Sequence, residues 1–128
     1  MRKNGFTLIE VLASIVLITV ALIPIMRIIP QMIENSLKAE RLTTAIFLAQ
    51  GKTDEVKNAL INSFSTSQDA AVTAFASPYT SYKYIVTDDD STGIKDIQVE
   101  VWYDEDDDDS RDATEESITI NTKVADRG

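Results

Sequence analysis

The acidic run between Asp104 and Glu116 holds the side chains of this sequence that are best suited to binding a metal ion. Calcium prefers carboxylate and carbonyl oxygens, and the acidic residues partly follow the spacing of a twelve-residue calcium loop. Two residues depart from that spacing: Asp109 stands where such a loop needs glycine, and Arg111 adds a cation. The run is therefore either an irregular calcium site or a solvated loop whose charges repel one another. The candidate calcium ligands are Asp104, Asp106, Asp108, Asp112 and Glu115.

Other reactive side chains are scarce. The sequence has no cysteine and no histidine, so it contains no thiolate nucleophile, no disulfide and no ordinary zinc ligand set. Glycoside hydrolysis needs an acid and a base on either side of a cleft, whereas these carboxylates cluster on predicted turns. There is also no glycine-rich phosphate loop and no nucleophile elbow. We therefore predict a protein that is not an enzyme and that has no cofactor apart from the possible calcium.

Glu10 is the second residue whose chemistry needs an explanation. It is the only charge in the apolar run from Phe6 to Met26, where an ionised carboxylate loses its hydration at a cost of several kcal/mol. The run is long enough to span a bilayer as a helix, and Arg2 and Lys3 before it favour a cytoplasmic N-terminus. A cleaved secretory signal, a permanent anchor and a leader with a different processing route are all compatible with this pattern.

The string "NGFTLIEVLAS" favours the third of these possibilities. It resembles the class III signal of type IV pilins and type II secretion pseudopilins, with glycine before the cleavage point and glutamate five residues after it. The resemblance implies that a prepilin peptidase cuts between Gly5 and Phe6 and that the new Phe6 amine is N-methylated. It also implies that Glu10 of one subunit neutralises the Phe6 amine of a neighbour during assembly. The implied partners are other pilin or pseudopilin subunits, the prepilin peptidase and an inner-membrane assembly platform.

A second string, "AIFLAQGKTDEV" from Ala45 to Val56, resembles the I-type minor pseudopilins and the related pilus-modification minor pilins. This resemblance implies a minor subunit of a type II secretion pseudopilus or a type IV pilus with the α+β pilin-like fold. The predicted domains are a leader at 1–5, a transmembrane and polymerisation helix at 6–30, and a soluble domain at 31–128. Within the soluble domain we expect an amphipathic helix at 31–64 and an antiparallel sheet at 82–124.

The residue pattern predicts the same elements without the resemblance. Pro24 and Pro30 each remove a helical hydrogen bond, so we expect a kink or a melted turn near each. After them an apolar stripe recurs at helical spacing, and residues 63–81 read as a linker with a short helical turn near 69–75. Three strands follow, with "DDDSTG" as the turn between the first two, which gives a three-stranded sheet covering the helix. The stripe consists of Leu42, Ala45, Ile46, Ala49, Val56 and Leu60.

Charge limits the partners and the location. The chain carries a net charge of −9, and residues 88–128 alone carry 4 basic and 15 acidic side chains. Nucleic acid is therefore not expected as a partner. We expect a single-pass protein of the bacterial inner membrane whose C-terminal domain lies outside the cytoplasm and enters a filament. The alternative is a membrane-anchored acidic domain that binds calcium or a basic partner and never polymerises.

Overall fold

The computed structural model describes residues 5–91 and 93–126, and the chain divides between Lys38 and Ala39 into two compact units. One α-helix, α1, runs from Leu8 to Asn62. Four β-strands follow in sequence: β1 (Ala70–Ala74), β2 (Tyr82–Ser91), β3 (Ile94–Tyr103) and β4 (Ser117–Ala125). The strands pair in the order β1-β2-β3-β4, and each neighbouring pair is antiparallel. The predicted α+β class is confirmed.

The residues around both prolines of α1 are helical. The helix includes Pro24 and Pro30, and its assignment is continuous on both sides of each of them. Isoleucine, leucine and alanine are the most frequent residues of α1. Leucine and alanine favour a helix, and the β-branched isoleucine is only slightly less favourable there. The melted turn expected as one possibility near each proline is wrong, and a kink at these two prolines stays a prediction.

The sheet has one more strand than the sequence pattern predicted. The helical turn expected near 69–75 is wrong, because Ala70–Ala74 form β1 at one edge of the sheet. The strand pairs with β2 through an irregular register between Ala70 and Thr73, and a short, irregular edge has a weak period-2 signal. A run of small residues such as "AAVTA" gives little hydrophobic alternation to detect.

The turn between β2 and β3 is also shorter than predicted. Asp88, Asp89 and Asp90 extend β2 rather than forming the turn, and they pair with Ile97, Asp96 and Lys95 of β3. The chain reverses between Ser91 and Ile94, where Gly93 has a φ of 79°. Only glycine adopts this left-handed region at no steric cost, which explains why the reversal falls here.

The core of the second unit lies between α1 and one face of the sheet. Ile97, Val99 and Val101 of β3 are completely or almost completely buried against the helix, as their alternation predicted. The predicted helical stripe is confirmed at four positions and wrong at Ile46, which is 41% exposed. Leu48 and Thr53 complete the buried face instead, and Thr53 is tolerated there because its hydroxyl donates to the Ala49 carbonyl. The buried helix residues are Ala45, Leu48, Ala49, Thr53, Val56 and Leu60.

Candidate functional site

The peptide bond between Gly5 and Phe6 lies outside the helix. The backbone N–H groups of Glu10 and Val11 donate to the Thr7 carbonyl at 3.0 and 3.2 Å, so the helical hydrogen bonds begin only at Thr7. Phe6 is 80% exposed, and a Cβ placed on Gly5 would meet no atom within 4 Å. The backbone at this bond is therefore non-helical, and among the described residues nothing packs over it. Cleavage between Gly5 and Phe6 and methylation of Phe6 stay predictions.

Glu10 lies in the first turn of α1, where the helix presents unpaired N–H groups that favour a negative charge. Its backbone carbonyl accepts a hydrogen bond of 2.8 Å from the Ser14 hydroxyl, while its side chain is exposed. Within the part of the chain that the structure describes, no side chain bonds to the Glu10 carboxylate. No described side chain therefore neutralises its charge.

The first half of α1 is uncovered on every side. Each residue from Gly5 to Glu40 is exposed, and most of them are large and apolar. By length and composition α1 can cross a membrane, with a mean hydropathy of 2.6 over its most apolar window. An apolar surface of this extent is unfavourable in water, which is consistent with membrane anchoring.

The carboxylate of Asp104 organises the acidic loop that follows β3. Its two oxygens accept the backbone N–H groups of Asp107 and Asp109 at 2.8 and 3.1 Å. Both donors have left-handed backbone angles, with φ of 63° and 59°, which aspartate tolerates better than most residues. Burial alone would raise the pKa of Asp104, but these N–H groups and the nearby Lys83 ammonium bring it below its ordinary value.

The structure brings together three of the five predicted calcium ligands. Carboxylate oxygens of Asp104, Asp106 and Asp108 all lie within 4.8 Å of one another. The two oxygens of Glu115 instead accept the backbone N–H groups of Glu105 and Asp112, at 2.8 and 3.1 Å. Partial desolvation and the neighbouring charges of Asp108 and Asp112 raise the pKa of Asp106. Binding of calcium here stays a prediction.

Lys83 holds the loop against the sheet, a role that the sequence around it does not indicate. Its side chain is 9% exposed and its ammonium forms ion pairs with Asp104 at 3.6 Å and with Asp109. The hydrogen bond to Asp109 raises the pKa of Lys83 despite its burial. Lys83 pairs with Trp102 across the sheet, and the single tryptophan is only 2% exposed although it faces away from α1. The loop therefore covers the outer face of the sheet at this end.

A second buried ion pair lies on the helix side of the sheet. The Lys95 ammonium is 2.9 Å from the Asp88 carboxylate, and the two side chains are only 2% and 1% exposed. The Lys95 ammonium also donates to the Thr66 carbonyl at 3.3 Å, and the Gln68 backbone N–H donates to Asp88 at 2.9 Å. The pair thus fixes the segment that leads from α1 into β1.

The two central carboxylates of the loop should respond to neutralisation in opposite directions. Asp104 has a lowered pKa, so its charge stabilises the fold above about pH 4 and that contribution is lost as the pH falls through the folded pKa. Asp106 has a raised pKa, so its charge destabilises the fold at neutral pH. At pH 7 we expect Asp104→Asn to lower the urea midpoint, read from Trp102 fluorescence, and Asp106→Asn to raise it. Equal shifts of one sign would contradict this account of the loop.

Comparison with protein families identifies the N-terminal segment. Residues 1–26 match the family model described as the prokaryotic N-terminal methylation motif. This motif is the signal of type IV pilins and pseudopilins, so residues 1–26 carry the kind of segment that prepilin peptidase processes in those proteins. The helix and the motif are consistent with membrane anchoring, and the class is structural rather than catalytic. Comparison with curated proteins and comparison with solved structures gave no match.

The match confirms the resemblance carried by "NGFTLIEVLAS". It does not distinguish a type II secretion pseudopilin from a type IV pilin. The resemblance of Ala45–Val56 to I-type minor pseudopilins lies outside residues 1–26 and stays a prediction.

Proposed function

We propose that this chain is a minor pilin or pseudopilin that polymerises through α1 into a type IV pilus or a type II secretion pseudopilus. Cleavage between Gly5 and Phe6 and N-methylation of Phe6 precede assembly in this proposal. The subunit has a structural role rather than an enzymatic one. The observation that carries the proposal is the uncovered apolar surface from Gly5 to Glu40, which begins with the processing signal.

The exposed apolar half of α1 would be surrounded first by lipid and then, after assembly, by helices of neighbouring subunits. Before assembly, lipid covers the apolar side chains, and the arginine and lysine of the leader keep the N-terminus on the cytoplasmic side. The second unit then lies outside the cytoplasm. During assembly, helices of neighbouring subunits replace lipid around α1, which keeps the same apolar area out of water.

Glu10 supports a specific contact in the assembled state. After cleavage, the Phe6 amine becomes the chain terminus, one helical turn before Glu10. An ammonium and a carboxylate in apolar surroundings attract each other strongly, and either one left alone would be an uncompensated buried charge. The pairing of Glu10 with the Phe6 amine of a neighbour therefore fixes the axial register of the subunits.

The partners follow from this scheme: the prepilin peptidase, other pilin or pseudopilin subunits and an inner-membrane assembly platform. Nucleic acid is not among them, because the acidic residues outnumber the basic ones 15 to 4 after Thr87. Pro24 and Pro30 lie in the half of α1 that would pack between subunits. There each proline leaves a helical carbonyl without its N–H partner, and a bend in the helix is the ordinary consequence.

Filament incorporation tests the proposal directly. The full chain would be expressed with the peptidase, the assembly platform and the major subunit of one filament system, and surface filaments would then be sheared and collected. We expect the processed chain in the sheared fraction at a small proportion of the major subunit, and none when the assembly motor is omitted. A processed chain that stays entirely with the membranes in every such system would favour a non-polymerising anchored domain.

A further inference from the structure

Strand β4 forms an unusually open edge of the sheet. All nine of its residues pair with β3 in one continuous register, without a bulge or a proline. The opposite edge, β1, has five residues and an irregular register, which are ordinary ways of preventing further pairing. Within residues 5–91 and 93–126, no strand pairs with the outer side of β4. Its outward N–H and C=O groups therefore form a template for another strand.

The one charged side chain of β4 does not protect this edge. Lysine on an edge strand commonly prevents pairing by projecting its charge into the space that a new strand would occupy. The Lys123 ammonium instead lies 3.0 Å from the Asp96 carboxylate on the neighbouring strand β3. The charge is thus drawn over the sheet face and away from the open edge.

A groove continues from this edge on the helix side of the sheet. It has a volume of about 470 Å³ and lies between the end of α1 and the end of β4. Ile118, Ile120 and Val124 of β4 contact the core but remain half-buried, and Ile61 of the helix is 64% exposed. A strand beside β4 would place every second side chain against these residues. The apolar lining includes Leu60, Ile61, Phe64 and Val124.

We propose that β4 accepts an extended segment of a partner protein as a fifth strand of the sheet. The segment alternates apolar and polar residues, with the apolar ones facing α1, and it carries basic residues where it passes the acidic end of the loop. Asp112, Glu115 and Glu116 lie within five residues of the start of β4. The main-chain groups of the edge provide affinity, and the groove and these charges provide specificity.

Charge argues against a second copy of this chain as the occupant. Residues 39–128 carry 8 basic and 19 acidic side chains, so two copies joined at β4 would bring together two strongly negative units. A basic segment of another protein is attracted by the same charge. The proposed contact lies wholly in the second unit and does not depend on polymerisation through α1.

Peptide binding to the full chain in detergent micelles tests this proposal. The probe is a fluorescent peptide, KKVTVTVT, compared with EEVTVTVT and with the proline-containing KKVTPTVP, which cannot complete the pairing. We expect KKVTVTVT to bind at least tenfold more tightly than either comparison peptide in fluorescence anisotropy. Hydrogen exchange should show new protection at residues 117–125 and none at 70–74.

Two variants separate the groove from the general surface. Ile61→Lys should weaken binding of KKVTVTVT at least tenfold, because it replaces an apolar side chain of the groove with a third lysine beside Lys57 and Lys123. Phe47→Lys is the matched control, since Phe47 is 68% exposed on the same helix but does not line the groove, and its binding should be unchanged. Three results would overturn the proposal: equal binding of the acidic peptide, protection at 70–74 instead, or self-association of the chain that protects 117–125 without any peptide.

Discussion

Replacing Glu10 with alanine abolishes incorporation of the chain into filaments and leaves its membrane residence and processing intact. The carboxylate has no partner within the described chain, and its side chain stands exposed in the first turn of an apolar helix. A neighbour's Phe6 amine that enters the filament without it would be buried as an unpaired cation, which costs several kcal/mol. We expect at least a hundredfold less of the variant than of the unchanged chain in the sheared fraction.

Glu34→Ala is the matched control for this experiment. Glu34 is also an exposed acid of the first unit, but its carboxylate already lies 4.0 Å from the Lys38 ammonium one turn away. An exposed pair of this kind contributes little, so the control should enter filaments normally. The measurement is quantitative mass spectrometry of the sheared and membrane fractions. Normal incorporation of the Glu10→Ala variant would show that this charge does not drive assembly.

Replacing Lys95 with alanine should unfold much of the second unit. The substitution leaves the Asp88 carboxylate, which is 1% exposed, without its ammonium partner, and it also removes the contact with the Thr66 carbonyl. Loss of one member of a buried pair costs about 3–5 kcal/mol, which is a large part of the stability of a small domain. The urea midpoint, read from Trp102 fluorescence, should fall accordingly or the variant should be unfolded in buffer.

Two comparison variants test whether the loss of stability in Lys95→Ala comes from the unpaired Asp88 carboxylate. Lys123→Ala removes an ammonium from an exposed pair, whose side chains are 74% and 48% exposed, and should cost less than about 1 kcal/mol. The double variant Lys95→Met with Asp88→Leu removes both charges and should recover most of the lost stability. A loss as large in the double variant as in Lys95→Ala would assign the effect to packing rather than to the unpaired carboxylate.

The helix, the class of fold and the processing signal were predictable because each depends on a local pattern. The apolar run after Phe6 and the alternation of Ile97, Val99 and Val101 indicate their elements without knowledge of distant contacts. The string around Gly5 and Glu10 is long and specific, and the family comparison confirms it. Predicting these features requires only the residue periods of helices and strands and the recognition of one motif.

The buried charges were not predictable, because they depend on where a turn begins. With "DDDSTG" taken as a turn, Asp88 faces solvent and Lys95 lies just before the strand that starts at Asp96. When the reversal moves to Gly93, Asp88 enters β2 and its carboxylate meets Lys95 on the buried face. The fourth strand was missed for a related reason, since residues 70–74 pair only through contacts made by the folded chain.

The contacts of the acidic loop were not predictable either, because they also depend on the folded chain. Its composition predicted solvated or calcium-binding carboxylates, whereas Asp104 is fully buried and bonded to two backbone N–H groups. The cation that balances it, Lys83, lies 21 positions earlier in the sequence, on the strand that neighbours β3 in the sheet. Only the register between β2 and β3 brings the two together. A lysine flanked by tyrosines in a predicted strand gives no signal for this contact.

The processed N-terminus is the most direct test of the account. The full chain would be produced with and without an active prepilin peptidase, and its intact mass and N-terminal peptide would be determined by mass spectrometry. We predict a chain that begins at N-methylated Phe6 only when the peptidase is present. A chain that keeps Arg2 to Gly5 in the presence of a peptidase that processes a known pilin would contradict it.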